Sequence, residues 1–404
     1  MAALQQRQPP GMVGTPVRVA VVDDSVVVRG LLSKWLSETP AIEVVGTYRS
    51  GREIIDALPG LQPRIILLDL DMPDMDGITA LPLILARSPA SRVIVVSSLS
   101  VHGAELTMRS LMKGATDYLP KPSNHREVST SADFRQALIA KVLAVGGVRQ
   151  AIRAAVPAAA PAPVSPAPHN PLFARNASVV APAAFAARPA SPAIIPARSG
   201  PQGRMLERIR PKAVVIGAST GGPQALVAVL GHMQKVVARL PIVIAQHMPP
   251  IFGAIFASHL KQHVGLPACE AVDGKPLLPG TIYLAPGGCH SVIRKLADGQ
   301  CTIAMLPSEA RGPWRPSIDL LFSSAAECYG QDVLAIALTG MGKDGTEGAT
   351  HLARRGANVI VQDEASSVVW GIPGSIAEAG LASAVLPPEK LGELAQTLLE
   401  GLPI

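Results

Sequence analysis

The 404-residue sequence lacks the features that mark membrane, exported and zinc-finger proteins. No apolar run approaches the roughly 18 residues that a membrane-spanning helix needs, and the N-terminal segment lacks the basic and apolar regions of a signal peptide. The sequence has few cysteines, and their spacing matches neither a disulfide framework nor a zinc site: Cys269, Cys289, Cys301 and Cys328. These absences predict a cytoplasmic protein that is not inserted in a membrane.

Aromatic and charged residues are also scarce, at 3% and 16% of the chain. The formal net charge of +6 would suggest a nucleic-acid partner, but segments 1–145, 146–212 and 213–404 carry +1, +8 and −3. A domain that reads DNA needs a basic face of its own, whereas the C-terminal part of this chain is mildly acidic. The charge distribution therefore predicts that the protein binds no nucleic acid.

The excess of proline lies in the middle of the chain. Residues 151–200 contain 18 Ala and 10 Pro but no Asp or Glu. Such a composition interrupts helices and buries too little apolar surface to fold alone, so we expect a disordered linker whose positive charge is solvated. The predicted organisation is a first domain over 16–135, a basic Ala/Pro-rich linker over 146–210 and a second domain over 211–400.

Polar residues follow each of four apolar, strand-like runs in the first domain. The groups at these strand ends are Asp23 and Asp24, then Asp69, then Ser97, and finally Lys121. Strands that alternate with helical segments predict a parallel sheet, whose ligands bind beyond the carboxyl ends of the strands. We therefore expect these side chains to converge on one crevice.

Three carboxylates in one crevice repel one another unless a cation neutralises them. Mg²⁺, which prefers oxygen ligands, is the cation that this set suggests. Asp69 lies on a different strand from the adjacent pair Asp23 and Asp24, so we assign it as a nucleophile toward phosphorus and the pair as metal ligands. Lys121 would pair with the phosphoryl oxygens, and Ser97 would donate a hydrogen bond.

These motifs resemble a response-regulator receiver domain; they are Asp23-Asp24-Ser25, Leu68-Asp69-Leu70-Asp71-Met72-Pro73, Ser97-Ser98 and Lys121-Pro122. The resemblance implies a flavodoxin-like, five-stranded parallel sheet and a histidine kinase as phosphodonor. It also implies that Asp69 is phosphorylated, that the backbone carbonyl of Asp71 joins the carboxylates around Mg²⁺, and that Ser97 and Tyr118 are switch residues.

The second domain opens with a buried strand over 213–216 that leads into a glycine-rich turn and a helix. Gly217-x-Ser219-x-Gly221 fits the turn that presents a nucleophilic serine. The same glycines could form an anion or dinucleotide cradle, although they break the Gly-x-Gly-x-x-Gly spacing, or a turn with a structural role alone. The motif by itself leaves these three interpretations open.

A base and an acid for such a serine lie at the ends of two further strands. His247 follows the strand over 242–245, and Asp344 follows the strand over 333–338. The order Ser219, His247, Asp344 differs from the Ser, Asp, His order of α/β-hydrolases, so we disfavour that fold. His290, in a glycine-rich loop, is a further candidate to line the site.

The second domain resembles the chemotaxis protein-glutamate methylesterase family, commonly called CheB. The motifs that carry the resemblance are Gly217-Ala218-Ser219-Thr220-Gly221-Gly222, Gln246-His247-Met248-Pro249, Pro316-Ser317-Ile318-Asp319 and Leu338-Thr339-Gly340-Met341-Gly342-Lys343-Asp344. The resemblance implies a doubly wound parallel α/β fold with Ser219 as nucleophile, His247 as general base and Asp344 as the residue that orients it.

The resemblance further implies hydrolysis of glutamate methyl esters on chemoreceptors, with release of methanol, deamidation of receptor glutamines, and no cofactor in the esterase site. Backbone N–H groups of Thr220 and Gly221, with the Met341-Gly342 loop, would stabilise the oxyanion. The family's linker is usually short enough to place the unphosphorylated receiver over the catalytic cleft. The long linker of this chain predicts a closed state that is only partly populated.

Two other functions are open to these residues. The second domain could be a non-catalytic module that binds a partner, with Ser219 in an anion-binding turn. It could also be a dinucleotide-binding reductase, which the broken glycine pattern disfavours.

Overall fold

The structure is a computed structural model that describes residues 15–122, 132–147, 204–306 and 314–401. Most of the predicted linker over 146–210 lies outside the described residues. The described residues form two parallel α/β domains, and the predicted fold class is confirmed. No helix among them is long and apolar enough to cross a membrane.

The first domain alternates strands with helices. Its elements are β1 (Val17–Val22), α1 (Val26–Ser37), β2 (Ile42–Tyr48), α2 (Gly51–Leu61), β3 (Ile65–Asp69), α3 (Gly77–Arg87), β4 (Arg92–Ser98), α4 (Val101–Met112), β5 (Asp117–Lys121) and α5 (Ala132–Val145). The sheet has the order β2-β1-β3-β4-β5 and is parallel throughout. The carboxyl ends of β1, β3 and β5 therefore meet at one edge.

Side-chain caps start the helices of this domain close behind the strand ends. Ser25 accepts a hydrogen bond from the backbone N–H of Val28, and Asp76 accepts one from that of Thr79. These caps satisfy N–H groups that have no partner within the helix. The chain can therefore turn from a buried strand into a helix within a few residues, which leaves the strand ends accessible to a ligand.

The second domain contains a larger sheet and a separate hairpin. Its elements are β6 (Ala213–Ala218), α6 (Gly222–Gly231), α7 (Gln234–Arg239), β7 (Ile242–Gln246), a 3-10 turn (Pro250–Phe252), α8 (Gly253–Val264), β8 (Ala268–Glu270), β9 (Ile282–Leu284), β10 (His290–Lys295), β11 (Cys301–Leu306), α9 (Ile318–Tyr329), β12 (Val333–Ala337), α10 (Thr346–Arg354), β13 (Asn358–Gln362), α11 (Ile372–Glu378), β14 (Ala384–Leu386) and α12 (Pro388–Glu400).

The seven strands of the larger sheet have the order β14-β13-β12-β6-β7-β9-β8 and pair in parallel, while β10 and β11 form an antiparallel pair. The three strands β12, β6 and β7 are neighbours at the centre, and every residue in them is buried. The loops that follow these strands carry Asp344, Ser219 and His247. The topology therefore brings the three predicted catalytic side chains to one edge.

The two domains contact each other through α4 and β5 of the first and α6 and the 3-10 turn of the second. The Gln224 side-chain amide donates to the carbonyl oxygens of Leu111, at 2.9 Å, and Ala115, at 2.7 Å. The rings of Tyr118 and Phe252 pack with their centroids 4.8 Å apart. The structure therefore joins Tyr118, a predicted switch residue, to the loop that follows His247.

Residues just outside the predicted domain bounds, on the side of the linker, are hydrogen-bonded to the two domains. The helix α5 continues to Val145, and Arg64 donates to the carbonyl of Gly146. Arg204 donates to the carbonyls of Ala357 and Ala382 in the second domain. The bounds at 135 and 211 stay predictions; these bonds favour domains that run to 147 and start at 204.

Candidate functional site

The predicted phosphoryl pocket forms at the ends of β1, β3 and β5. Carboxylate oxygens of Asp23, Asp24 and Asp69 lie within 4.8 Å of one another. The Lys121 ammonium lies 2.6 Å from Asp69 Oδ2 and 2.9 Å from Asp23 Oδ2. The structure therefore brings together four of the five side chains that the sequence assigned to this pocket; the fifth, Ser97, is described below.

The pocket carries more negative than positive charge. Burial, and after it repulsion from Asp23, raises the pKa of Asp69 to about 6, although Lys121 acts in the opposite direction. One ammonium group cannot neutralise three carboxylates, two of which, on Asp23 and Asp69, are almost fully buried. A divalent cation with oxygen ligands would supply the missing charge, so this donor set fits Mg²⁺.

The remaining residues of the predicted phosphoryl site lie around the pocket. The backbone N–H of Leu70, next to Asp71, donates to Asp69 Oδ1 at 2.8 Å. The Ser97 hydroxyl is buried and hydrogen-bonds to the hydroxyl of Thr107, which itself donates to the carbonyl of Gly103. Ser97 is thus directed to α4, and Tyr118 packs on the second domain. Neither hydroxyl bonds to Asp69 in this arrangement.

The predicted nucleophile Ser219 lies between β6 and α6 in a tight turn. Its backbone N–H donates to Thr339 at 3.0 Å, and its carbonyl accepts from Gly222 at 2.8 Å and from the Gln246 amide at 2.9 Å. Gly221 has a φ of 76°, in the left-handed region that favours glycine. These bonds fix the backbone of Ser219 at the start of a helix.

His247 and Asp344 form a hydrogen-bonded pair. The distance from His247 Nε2 to Asp344 Oδ2 is 2.8 Å, and both side chains are buried. The other ring nitrogen, Nδ1, is buried and has no hydrogen-bond partner among the described residues. It is therefore the nitrogen available to take a proton from Ser219, to which His247 makes no hydrogen bond in this structure.

The start of α9 holds the Asp344 carboxylate. The backbone N–H groups of Ile318 and Asp319 and the hydroxyl of Ser317 donate to it, at 2.8, 3.0 and 3.1 Å. Burial raises the pKa of Asp344, but hydrogen bonds from His247 and these N–H groups outweigh burial and bring it below its usual value. Asp344 is therefore held as an anion that can orient and stabilise an imidazolium.

Ser219 and His247 line one cavity of about 480 Å³. Thr220 and Met341, two of the four residues predicted to stabilise an oxyanion, also line it. The backbone N–H groups of the four residues, namely Thr220, Gly221, Met341 and Gly342, donate to no partner in the described part of the chain. They are therefore free to bind a developing negative charge. His290 is fully buried and does not line the cavity.

The first domain forms one wall of this cavity. Tyr118, Pro120, Ala137 and Lys141 line it opposite the catalytic residues. Lys141 is held by an ion pair with Asp117. A substrate must reach Ser219 past this wall, so the described arrangement restricts access to the site.

Sequence reasoning missed two residues that shape this region. Gln224 makes the contact between domains, and Trp314 stacks on His247 with ring centroids 5.0 Å apart and planes at 3°. Trp314 lies two residues before the motif that begins at Pro316, and this proximity is the one signal that the sequence offers. The contact of Gln224 joins residues more than a hundred positions apart and leaves no local pattern.

Comparison with known proteins agrees with both halves of this description. The profile of the CheB methylesterase family matches residues 214–395, and that of the response regulator receiver domain matches residues 19–133. The isolated CheB methylesterase catalytic domain of Thermotoga maritima is 38% identical, with a TM-score of 0.44, and its match covers 48% of this chain and 99% of that one.

Relatives of similar length match nearly the whole chain. A protein of Bradyrhizobium diazoefficiens named protein-glutamate methylesterase/protein-glutamine glutaminase of group 2 operon is 42% identical over 96% of this chain and 95% of its own length. A relative in Rhodospirillum rubrum, named protein-glutamate methylesterase/protein-glutamine glutaminase 1, is 43% identical over 93% of each chain. The chain therefore belongs to the CheB family of response regulators with a methylesterase domain, as its motifs predicted.

Proposed function

We propose that this protein is a hydrolase that removes methyl groups from glutamate methyl esters of chemoreceptors and deamidates receptor glutamines. The observation that carries the proposal is the buried pair of His247 and Asp344, whose imidazole lines the same cavity as Ser219. A dinucleotide cradle does not need such a pair, and a module that only binds a partner has no use for a buried general base. The family relationship supports the same choice.

The proposed reaction has two steps. Ser219 Oγ attacks the ester carbonyl while His247 Nδ1 takes its proton, and the free N–H groups near Thr220 and Met341 bind the oxyanion. The methoxide leaves with the proton from His247 as methanol. Water then attacks the acyl-enzyme, again deprotonated by His247, and this releases the glutamate carboxylate and restores Ser219. With a glutamine substrate the first leaving group is ammonia.

The receiver is proposed to control this reaction through phosphorylation of Asp69 by a chemotaxis histidine kinase. Asp23, Asp24, Asp69 and the carbonyl of Asp71 would hold Mg²⁺, which supplies positive charge beside the phosphoryl group. Lys121 pairs with a second phosphoryl oxygen, and Ser97 turns from Thr107 toward it. The packing of Tyr118 on Phe252 connects this rearrangement to the loop behind His247. The location in the cytoplasm stays a prediction.

Methanol and ammonia release from methylated, glutamine-bearing receptors test the proposal. Wild-type protein with Mg²⁺ and a small phosphodonor should release both products, and Asp69→Ala should keep only the basal rate. A fragment that starts at Arg204 should be active without a phosphodonor; it keeps the bonds of Arg204 that a start at 211 would remove. Absence of both products under all these conditions would favour the non-catalytic binding module.

A further inference from the structure

The imidazole of His247 is held by few polar contacts. One hydrogen bond, from Nε2 to Asp344 Oδ2 at 2.8 Å, is its only one among the described residues, because Nδ1 has no partner there. A ring held through one atom can rotate about that bond. A general base needs a fixed plane, since its lone pair must point at the proton that it removes. Packing must therefore supply what hydrogen bonds do not.

Trp314 packs on the face of this imidazole. The two rings are parallel within 3°, their centroids are 5.0 Å apart, and Trp314 is 37% exposed where it lines the cavity. Parallel rings at this separation form an offset stack, which is a favoured arrangement of aromatic pairs. The stack blocks rotation of the His247 ring in a way that the single hydrogen bond cannot.

The segment from Trp314 to Asp319 positions two groups that contact His247, the Trp314 ring and the Asp344 carboxylate. Trp314 covers the ring face, while the Ser317 hydroxyl and the N–H groups of Ile318 and Asp319 hold the Asp344 carboxylate. Ser317 also caps α9 by accepting from Leu320. The helix start thus anchors the segment, and Trp314 is placed by the same backbone that places the acid of the triad.

We propose that Trp314 is a positioning residue for the general base. It fixes the plane of His247, and the electron-rich indole face stabilises the imidazolium that forms when the proton of Ser219 moves to Nδ1. No covalent change occurs on Trp314. This inference rests on the proposed hydrolysis and adds a residue outside the Ser, His, Asp triad.

The test compares an aromatic with an aliphatic replacement in the full-length protein, activated with Mg²⁺ and a small phosphodonor. Trp314→Leu should lower kcat about 2- to 30-fold, the range of a cation–π contact from exposed to desolvated sites. Trp314→Phe should recover most of that loss because it keeps an aromatic face. KM for the methylated receptor should change by less than about twofold, since the contact acts on the proton transfer.

A second readout needs no turnover. In a Ser219→Ala background, tryptophan emission should fall on acidification once the imidazole becomes protonated, because an imidazolium stacked on indole quenches it. The change should vanish in Trp314→Phe and persist in Trp35→Phe. The change should also vanish in His247→Gln. The other ionisable groups around the stack are Asp344, Asp319, Arg315 and Lys141, and a change caused by any of them would persist in this variant.

The outcomes separate this inference from the proposed function. The positioning role would be overturned if Trp314→Leu kept the wild-type kcat. It would also be overturned if Trp314→Leu raised only KM and Trp314→Phe did not restore it. Neither result would affect the proposed esterase activity. Emission that titrates equally in Trp314→Phe would overturn the stack itself, even if Trp314→Leu fails to fold. Methanol release that survives Ser219→Ala would refute the proposed function instead.

Discussion

The contact between the domains gives a prediction whose size follows from the structure. Gln224 donates two hydrogen bonds, at 2.9 and 2.7 Å, to backbone carbonyls of the receiver. Each such bond contributes a net ~0.5–1.5 kcal/mol, so Gln224→Ala should weaken the closed state by about 1–3 kcal/mol. That free energy shifts the ratio of open to closed enzyme by about 5- to 150-fold.

Basal methanol release without Mg²⁺ or phosphodonor measures this shift. Gln224→Ala should raise the rate of the full-length protein toward, and not beyond, that of the fragment that starts at Arg204. Gln234→Ala is the matched control, because Gln234 is an exposed glutamine at the start of α7, the helix that follows the one with Gln224. In the fragment, which has no receiver, Gln224→Ala should leave the rate unchanged.

Two results would contradict a closed state held by Gln224. If Gln224→Ala kept the wild-type basal rate while the fragment was many-fold faster, the amide would not hold the domains together. If the fragment was no faster than the unphosphorylated full-length protein, the wall formed by the receiver would not inhibit the enzyme, and activation would have to come from targeting to the receptor.

Three further predictions concern single residues. Mg²⁺ should raise the melting temperature of the receiver measured by calorimetry. The rise should be smaller below about pH 6, because Asp69 is protonated there, and it should also be smaller in Asp69→Asn than in the wild type. Asp344→Asn should lower kcat by about 10⁴-fold, against about 10⁶-fold for His247→Ala, because nucleophile and base remain and only the support of the imidazole is lost; equal losses in a methanol assay would contradict this. Burial, and to a lesser extent Asp344, raises the pKa of Asp319 from 3.8 to about 6. The folded state therefore binds more protons there than the unfolded state, and stability from this group falls as pH rises from about 4 to 6. Denaturant unfolding should show Asp319→Asn gaining stability relative to wild type over that range; a constant difference would contradict the assignment.

Much of the site could be predicted because its residues follow strands that the sequence marks clearly. The runs that end at Asp69, Ser219 and His247 are continuously apolar, as fully buried parallel strands are. The end of such a strand is also where parallel sheets bind ligands. The chemistry of the residues there then identified both the phosphoryl pocket and the triad.

Other elements left weaker signals for physical reasons. The strand β2 lies at an edge of the sheet and is only partly buried, so its pattern is mixed. The strands β8, β9 and β14 have three residues each, too few for a period to show. The contacts of Gln224 and Trp314 depend on tertiary packing, and neither residue type indicates such a role by itself.

The resting arrangement of the phosphoryl site also could not be predicted. The sequence indicated that the Ser97 hydroxyl serves the phosphoryl group, whereas the structure directs it to Thr107 on α4. In the absence of a phosphoryl group, a buried hydroxyl must find another partner. The competition between these partners depends on the position of α4, which no local sequence pattern specifies.

The most direct test of the central claim is methanol release from a methylated receptor by wild-type protein and Ser219→Ala, both with Mg²⁺ and a phosphodonor. Ser219→Ala should lose about 10⁶-fold in kcat, since nucleophile and base act as a unit. Binding of the receptor and phosphorylation of Asp69 should be unchanged in this variant. Methanol release by Ser219→Ala at a rate near that of the wild type would show that Ser219 is not the nucleophile.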